Sequence, residues 1–471
     1  MRLIRPAVGL SLSLLVTACA SFTPDGGMAV VATTVRDQVG AEATKITSES
    51  DAAVVAARVA LLLRDPLSAD SAVQIALLNN RMLQAAYNDL GLAEIASVEA
   101  GLPPNPKLSL SRISGTSFVE WEFRLLGNIL ALSTLPARRE IAGLRFDQAQ
   151  KAAIAATYRI ALDARQAWLA AVAARETVGY LEQARAAADA TADLMRKLGE
   201  TGGATKLEQA RAGAAYAEIG VQLAQARLRE RQAKDALTRV MGLWGETQEV
   251  RIPSRLPSLP RTVDRTINVE TEALENRMDL KMARQELAIA ARSLKLSETT
   301  RFVSLLELAG IGKNERDSEG TTNRGGLELE IEFPIFDGGE VKARREVETY
   351  MRAVNRLAGL AVNARSEART AYGNLLAAHE IAAQYQNRVL PLRRIVAQET
   401  LLQYNGMLID VFDLLTEARE RVFVNIAAIA ARKSFFQAEI ELRAAVIGGG
   451  SGSPGEAPEA TPAAPAGAPG H

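Results

Sequence analysis

Few side chains in this sequence are suited to chemistry, and their spacing fits charge placement rather than bond making. Glu120 and Glu122 lie in Val-Glu-Trp-Glu-Phe-Arg-Leu (119–125), and Glu328, Glu330 and Glu332 in Leu-Glu-Leu-Glu-Ile-Glu-Phe (327–333). Successive side chains of a strand face opposite ways, so each run puts apolar residues on one face and carboxylates on the other. Arg124 shares the charged face of the first run. A solvated antiparallel sheet shows this alternation, and so does a sheet with one face in lipid and the other in an aqueous pore. No grouping has the spacing of a catalytic centre: there is no zinc-binding helix motif, phosphate loop or nucleophile elbow. Gly310-Ile311-Gly312 lacks the third glycine of a nucleotide loop. Histidine occurs twice, and His379, beside Ala377 and Ala378 on a helical stretch, reads as a surface or interface residue. No enzyme, cofactor or metal is expected.

The one cysteine, Cys19, excludes an internal disulfide. Arg2 and Arg5 precede an apolar run from Ala7 to Val16, which ends in Val16-Thr17-Ala18-Cys19. The run is too short to cross a bilayer and reads as a secretory signal over residues 1–18. Its last four residues resemble a lipobox, in which cleavage frees Cys19 for acylation on its amine and thiol. Several acyl chains anchor a protein stably where one does not. Ala20 and Ser21, with no Asp after the cysteine, favour the outer membrane by resemblance to bacterial lipoproteins. At the other end, residues 448–471 are Gly, Pro, Ala and Ser with almost no bulky apolar side chain, so they read as a disordered tail.

The elements that must position these residues occur twice. Ala76 to Met82 recurs as Ala273 to Met278, Ala137-Arg138-Arg139-Glu140 as Ala343-Arg344-Arg345-Glu346, and Glu208 to Arg211 as Thr416 to Arg419, at offsets of 196, 206 and 208. Ordered matches of this kind mark a duplication. Each copy holds a leading helix (71–100 and 269–298) and two strands (107–114 with 118–131, and 302–311 with 326–336). A very long helix (137–198 and 340–402) and a return helix (204–241 and 410–447) follow. Ser114 to Ser117 reads as a short loop and 312–325 as a longer, extracellular one. The chain divides into a signal (1–18), an N-terminal periplasmic segment (19–67), a first repeat (68–241), a proline-marked linker (242–268), a second repeat (269–447) and the tail (448–471).

Balanced charge, 55 basic against 55 acidic residues, excludes nucleic acid as an evident partner. Abundant alanine and only 5% aromatic residues suit closely packed helices rather than a bulky core. From Val347 through Ala364, Ala368, Ala371 and Leu375 to Val389, apolar residues alternate steps of three and four. This is the left-handed coiled-coil period. Pro391 should kink that helix. A long helix of this size runs about 93 Å, and leading and return helices stacked end to end match it. Four strands of membrane-spanning length have open edges that lipid does not tolerate, and barrels start at about eight strands, so closure needs more than one chain.

Several stretches resemble the TolC-like outer-membrane efflux channels, and the likeness covers residues 68–447. They are Ala76 to Asn80 followed by Leu102-Pro103-Pro104-Asn105-Pro106, Phe333-Pro334-Ile335-Phe336-Asp337-Gly338-Gly339, and Tyr404-Asn405-Gly406 with Asp410-Val411-Phe412-Asp413. The resemblance implies a mostly α fold with a small β part. Long antiparallel coiled-coil-like helices would form an α-barrel, and four strands per chain would contribute to a trimeric 12-stranded transmembrane β-barrel. It implies a homotrimer in the outer membrane, lipid-anchored and extending into the periplasm. Its partners would be a periplasmic membrane-fusion adaptor and an inner-membrane pump that chooses the cargo, drugs or metal ions. Asp410 and Asp413 match paired acidic positions at the periplasmic gate, and Tyr404 a nearby aromatic; Asp410 also suits a helix cap. Lys206 stands at the first tip where the family carries Asp, and a pair with Asp410 or Asp413 is expected in place of the usual network. Glu120, Glu122, Glu328, Glu330 and Glu332 would line an acidic outer pore mouth. The competing reading is a periplasm-spanning structural lipoprotein with no pore.

Overall fold

The computed structural model describes residues 21–244, 250–264, 268–317 and 320–448. Cys19, the signal segment and the tail beyond Gly448 lie outside the described residues.

Among the described residues two helices come first, α1 (Met28–Val39) and α2 (Glu49–Leu62). The first repeat then runs α3 (Ala69–Asn79), α4 (Arg81–Gly101), β1 (Lys107–Ser114), β2 (Val119–Asn128), the short α5 (Ile129–Ser133), α6 (Leu135–Glu200) and α7 (Lys206–Val240). The second runs α8 (Val269–Asn276), α9 (Met278–Thr299), β3 (Leu305–Arg316), β4 (Thr321–Glu332), α10 (Glu340–Gln384), a π turn (Tyr385–Val389), α11 (Leu390–Asn405) and α12 (Val411–Ile447). The fold is mostly helical with one four-stranded antiparallel sheet, as expected. Helix α6 has 66 residues, and α10, the π turn and α11 have 45, 5 and 16, the same total. At 1.5 Å per residue each column is about 99 Å long. Pro391 is the second residue after the π turn; the wider turn accommodates a residue that cannot donate to the helical ladder.

Each leading helix is two helices, split at Asn80 and at Arg277. The break has a use. Asn79 donates its side-chain amide to the carbonyls of Met241 and Gly242 (3.2 and 2.8 Å), and Asn80 donates to Val240 (2.8 Å). The last carbonyls of α7, left without helical partners, are thereby capped, and α4 and α7 stack end to end. Gly242 has φ +68° and a Cβ there would sit 2.6 Å from the Asn79 carbonyl oxygen, so glycine is needed on both counts. In the second copy Arg277 reaches the Ala445 carbonyl at the end of α12.

Alanine seams hold the columns together. Ala364, Ala368, Ala371, Leu375 and Ala382 of α10 are buried, as the period required. The largest core joins α1, α3, α4, the middle of α6 and the linker, around Val31, Ile75, Leu77, Tyr87, Tyr158 and Trp168. Tyr87 and Thr157 share a hydrogen bond of 2.9 Å, and the Trp168 indole donates to the Leu67 carbonyl at 2.7 Å. His379 meets the Pro260 carbonyl at 2.9 Å and packs edge-on against Phe435, which ties the proline linker to α10.

The long helices repeat at a constant 205 residues: Leu135 with Glu340, Glu200 with Asn405, Lys206 with Val411. The offsets of 206 and 208 drawn from matching tetrapeptides are thus off register. Alanine-rich helices offer many near matches, whereas caps and turns have one geometry.

Candidate functional site

The sheet order is β1-β2-β3-β4, every neighbour antiparallel, with β1 and β4 as edges. Directly opposed residues share a face. Glu120 pairs with Glu315, Glu122 with Lys313, Arg124 with Ile311, Glu328 with Ala309, Glu330 with Glu307 and Glu332 with Leu305. All five expected glutamates and Arg124 therefore lie on one face. That face also carries Glu307, Glu315, Lys313 and Arg324, which the sequence pattern concealed. Leu305-Leu306 and the glycines at 310 and 312 break the alternation of β3. Segment 312–325 is mostly strand rather than loop, and only residues 317–320 separate β3 from β4.

Charge is not spread evenly. Lys313 bridges Glu120 and Glu122 (3.1 and 3.0 Å), and Arg324 meets Glu315 (3.8 Å), near the hairpin tips. Arg124 pairs with Glu328 at 2.6 Å. Among the described residues no ion pair reaches Glu307, Glu330 or Glu332, which sit at the helix-proximal end; the Asn128 amide approaches Glu307 at 3.4 Å. The uncompensated acidity is therefore greatest at the base of the sheet, beside the helices.

The opposite face is apolar and open. Leu108, Leu110, Phe123, Leu125, Leu308, Leu329 and Ile331 are exposed, and Leu327, in the body of a sheet, is 82% exposed. An uncovered band of this extent marks a surface made for a non-aqueous neighbour. No helix among the described residues is long and apolar enough to cross a membrane.

At the far end of the helices two hairpin tips lie together. Asp410 caps α12, accepting the Asp413 backbone N–H at 3.0 Å. Thr205, its counterpart, caps α7 and forms a reciprocal box with Glu208, whose carboxylate accepts the Thr205 N–H at 2.7 Å. In this register Asp413 corresponds to Glu208, and Lys206 to Val411. Glu208 is the tip carboxylate that sequence reasoning missed; the S/T-x-x-E pattern Thr205 to Glu208 was its signal. The Thr205 backbone N–H and hydroxyl hold its carboxyl below the usual range, while nearby Asp410 pushes it the other way. Among the described residues Lys206 forms no ion pair with Asp410 or Asp413; the cation between the tips is Arg211, 4.6 Å over the Phe412 ring. Tyr404 packs against Met195, Ala212, Val411 and Leu415, which seals the two tips to each other.

Each tip ends in the same turn. Gly203 donates to the Leu198 carbonyl (2.7 Å) around Gly202 at φ +78°, and Leu408 donates to Gln403 (2.9 Å) around Met407 at φ +59°. The second copy thus places methionine where the turn favours glycine. Met407→Gly is expected to stabilise the tip by about 1 kcal/mol, read as slower amide exchange over residues 402–408. Faster exchange would mean that the exposed methionine makes contacts of its own.

No family model matches the chain, and no curated protein does. Solved structures do. A membrane protein from Pseudomonas aeruginosa superposes with a TM-score of 0.69 at 16% identity, over 80% of this chain and 93% of that one. The outer membrane protein VceC from Vibrio cholerae gives 0.67 at 16% identity, over 81% and 96%. The open state of the Neisseria gonorrhoeae MtrE outer membrane channel gives 0.61 at 15% identity, over 80% and 88%. At such identities what is shared is the fold, long helices carrying a four-stranded sheet.

Proposed function

We propose that the chain is one protomer of a trimeric outer-membrane efflux conduit, lipid-anchored at Cys19 and fed from the periplasm by an adaptor and an inner-membrane pump. The observation that carries this reading is a sheet with an exposed apolar face, a charged face and two unpaired edges. In lipid such edges are untenable unless another chain pairs with them. A scaffold without a pore has no use for two hairpins whose apolar face is left bare.

The helices repeat the argument. By their contacts the lower columns run in the order α7, α6, α12, α11. Strand β1 leads from α4 on the α7 side, and β4 leads into α10 and α11 on the other. Each side of the molecule thus has an open sheet edge above and a free helix below. On α7 the buried positions Ala212, Ala215, Ile219, Leu223 and Ala226 face α6. Leu207, Ala210, Ala214, Ala217, Val221, Ala224 and Leu228 form a second stripe of the same period, all exposed. Across the molecule α11 exposes Leu392, Ile395 and Leu402. A helix with seams on opposite flanks is a stave of a cylinder. Heat-modifiable trimers in outer-membrane fractions and single-channel currents after reconstitution are the expected results; a water-soluble monomer that passes no ions would refute the reading.

With the charged face inward, Glu307, Glu330 and Glu332 of each copy form an acidic belt where the barrel meets the helical duct. A fixed negative field favours cations. Replacing all three by Gln is expected to bring cation preference, read as a reversal potential in a salt gradient, close to none. Glu120→Gln with Glu122→Gln should change it less, because fewer carboxylates are removed and Lys313 already offsets one of the two. Equal effects would place the selectivity elsewhere.

A further inference from the structure

Across the apolar face the rows read, from the hairpin tips toward the helices, Ser114–Val119–Arg316–Thr321, Arg112–Trp121–Asn314–Asn323, Leu110–Phe123–Gly312–Gly325 and Leu108–Leu125–Gly310–Leu327. The third row is bare over β3 and β4, and Gly310 extends the bare strip downward. Nothing in the backbone demands glycine there. None of the three has a positive φ. A Cβ at Gly310 or Gly312 would meet nothing within 4 Å, and one at Gly325 only the Ile311 carbonyl oxygen at 3.8 Å. The space is left open in a surface otherwise covered by large apolar side chains.

Trp121, Phe123, Gly312, Asn314 and Asn323 line the cleft together with Lys313 and Arg324, whose strand positions belong to the charged face. Above it the Asn314 amide donates to Asn323 at 2.6 Å, which closes the upper end with polar groups. One cation lies beyond, Arg316 on the strand of Gly312; another is level with the rim, Arg112 on β1, stacked 5.6 Å over Trp121. Neither forms an ion pair among the described residues. An apolar trough under an aromatic and amide rim, with one guanidinium level with the rim and one past it, has the polarity sequence of a phosphate-bearing amphiphile: chain, ester region, anion.

We infer that the cleft at Gly312, continued by the bare strip over Gly310 and Gly325, holds one acyl chain of a membrane phospholipid, with its phosphate at Arg316 and Arg112. The inference rests on the sheet being part of a membrane barrel, and Trp121 reports on both. The trimer is reconstituted in phosphatidylglycerol bilayers containing a small mole fraction of the same lipid brominated along its chains, and fluorescence is measured against a Trp121→Phe background. Quenching of Trp121 well above the value set by the mole fraction is the expected result, and it falls to that value in Gly312→Leu with Gly325→Leu. Quenching proportional to mole fraction in the unaltered protein overturns the lipid site and leaves the barrel standing. No quenching at any mole fraction overturns the barrel and the site together. The unaltered protein decides alone should the double variant fail to assemble.

Discussion

Val221→Asp is expected to abolish both the heat-resistant trimer and its single-channel currents while leaving helix content unchanged by circular dichroism. Val221 lies midway along the outer stripe of α7 and is 59% exposed within one protomer. It is not among the buried residues by which α7 packs on the rest of the chain. Against a neighbouring helix the carboxylate would be buried without a partner, which costs several kcal/mol, and in the proposed trimer the cost would recur at every interface. Gln222, one residue on, is exposed and points away from both seams. Gln222→Asp is expected to act within about 0.5 kcal/mol, as surface changes do. A Val221→Asp protein that still migrates as a trimer would show that the outer stripe meets no second chain, and the stave argument would fail.

How far the sequence revealed this arrangement depends on which signals have one geometric meaning. The 3.5-residue stripes did, so the long helices and their buried alanines were readable to within a few residues. The alternation in Leu327 to Phe333 did too, and its face and partners are as the period required. Strand β3 was not readable past Ile311, because Gly312 and Asn314 look like loop residues until their cross-strand partners Gly325 and Asn323 are known. Lys313 was lost with them, and so was its bridge between Glu120 and Glu122. The helix breaks at Asn80 and Arg277 were hidden for another reason. Both positions lie inside continuous amphipathic patterns, and what ends the helix is a carbonyl row on α7 or α12, distant in sequence. At the tips, residue matching put Glu208 opposite Thr416; the shared turn puts it opposite Asp413. Tertiary caps are non-local information.

The same caps give the second large effect. Arg277 is 10% exposed and presents its guanidinium to three acceptors from different parts of the chain. Nε and Nη2 grip Asp279 as a fork (3.0 and 2.7 Å), and Nη1 serves Glu367 on α10 and the Ala445 carbonyl at the end of α12. Arginine alone has donors in this geometry. Arg277→Ala would leave an Asp279 carboxylate, itself only 31% exposed, without its partner, and would uncap α12. Breaking a buried pair costs about 3–5 kcal/mol; because Glu367 is 55% exposed and resolvated readily, about 2–4 kcal/mol is expected here. Arg277→Lys retains the charge but not the fork, and should recover less than half of that loss. Arg277→Asn is the more informative variant, because the first copy caps α7 with an asparagine at the same point. It should restore the carbonyl cap yet not the pair with Asp279, and so fall between alanine and arginine in urea unfolding. If asparagine proved no better than alanine, the carbonyl at Ala445 would contribute nothing, and the ion pairs alone would hold α9, α10 and α12 at this junction.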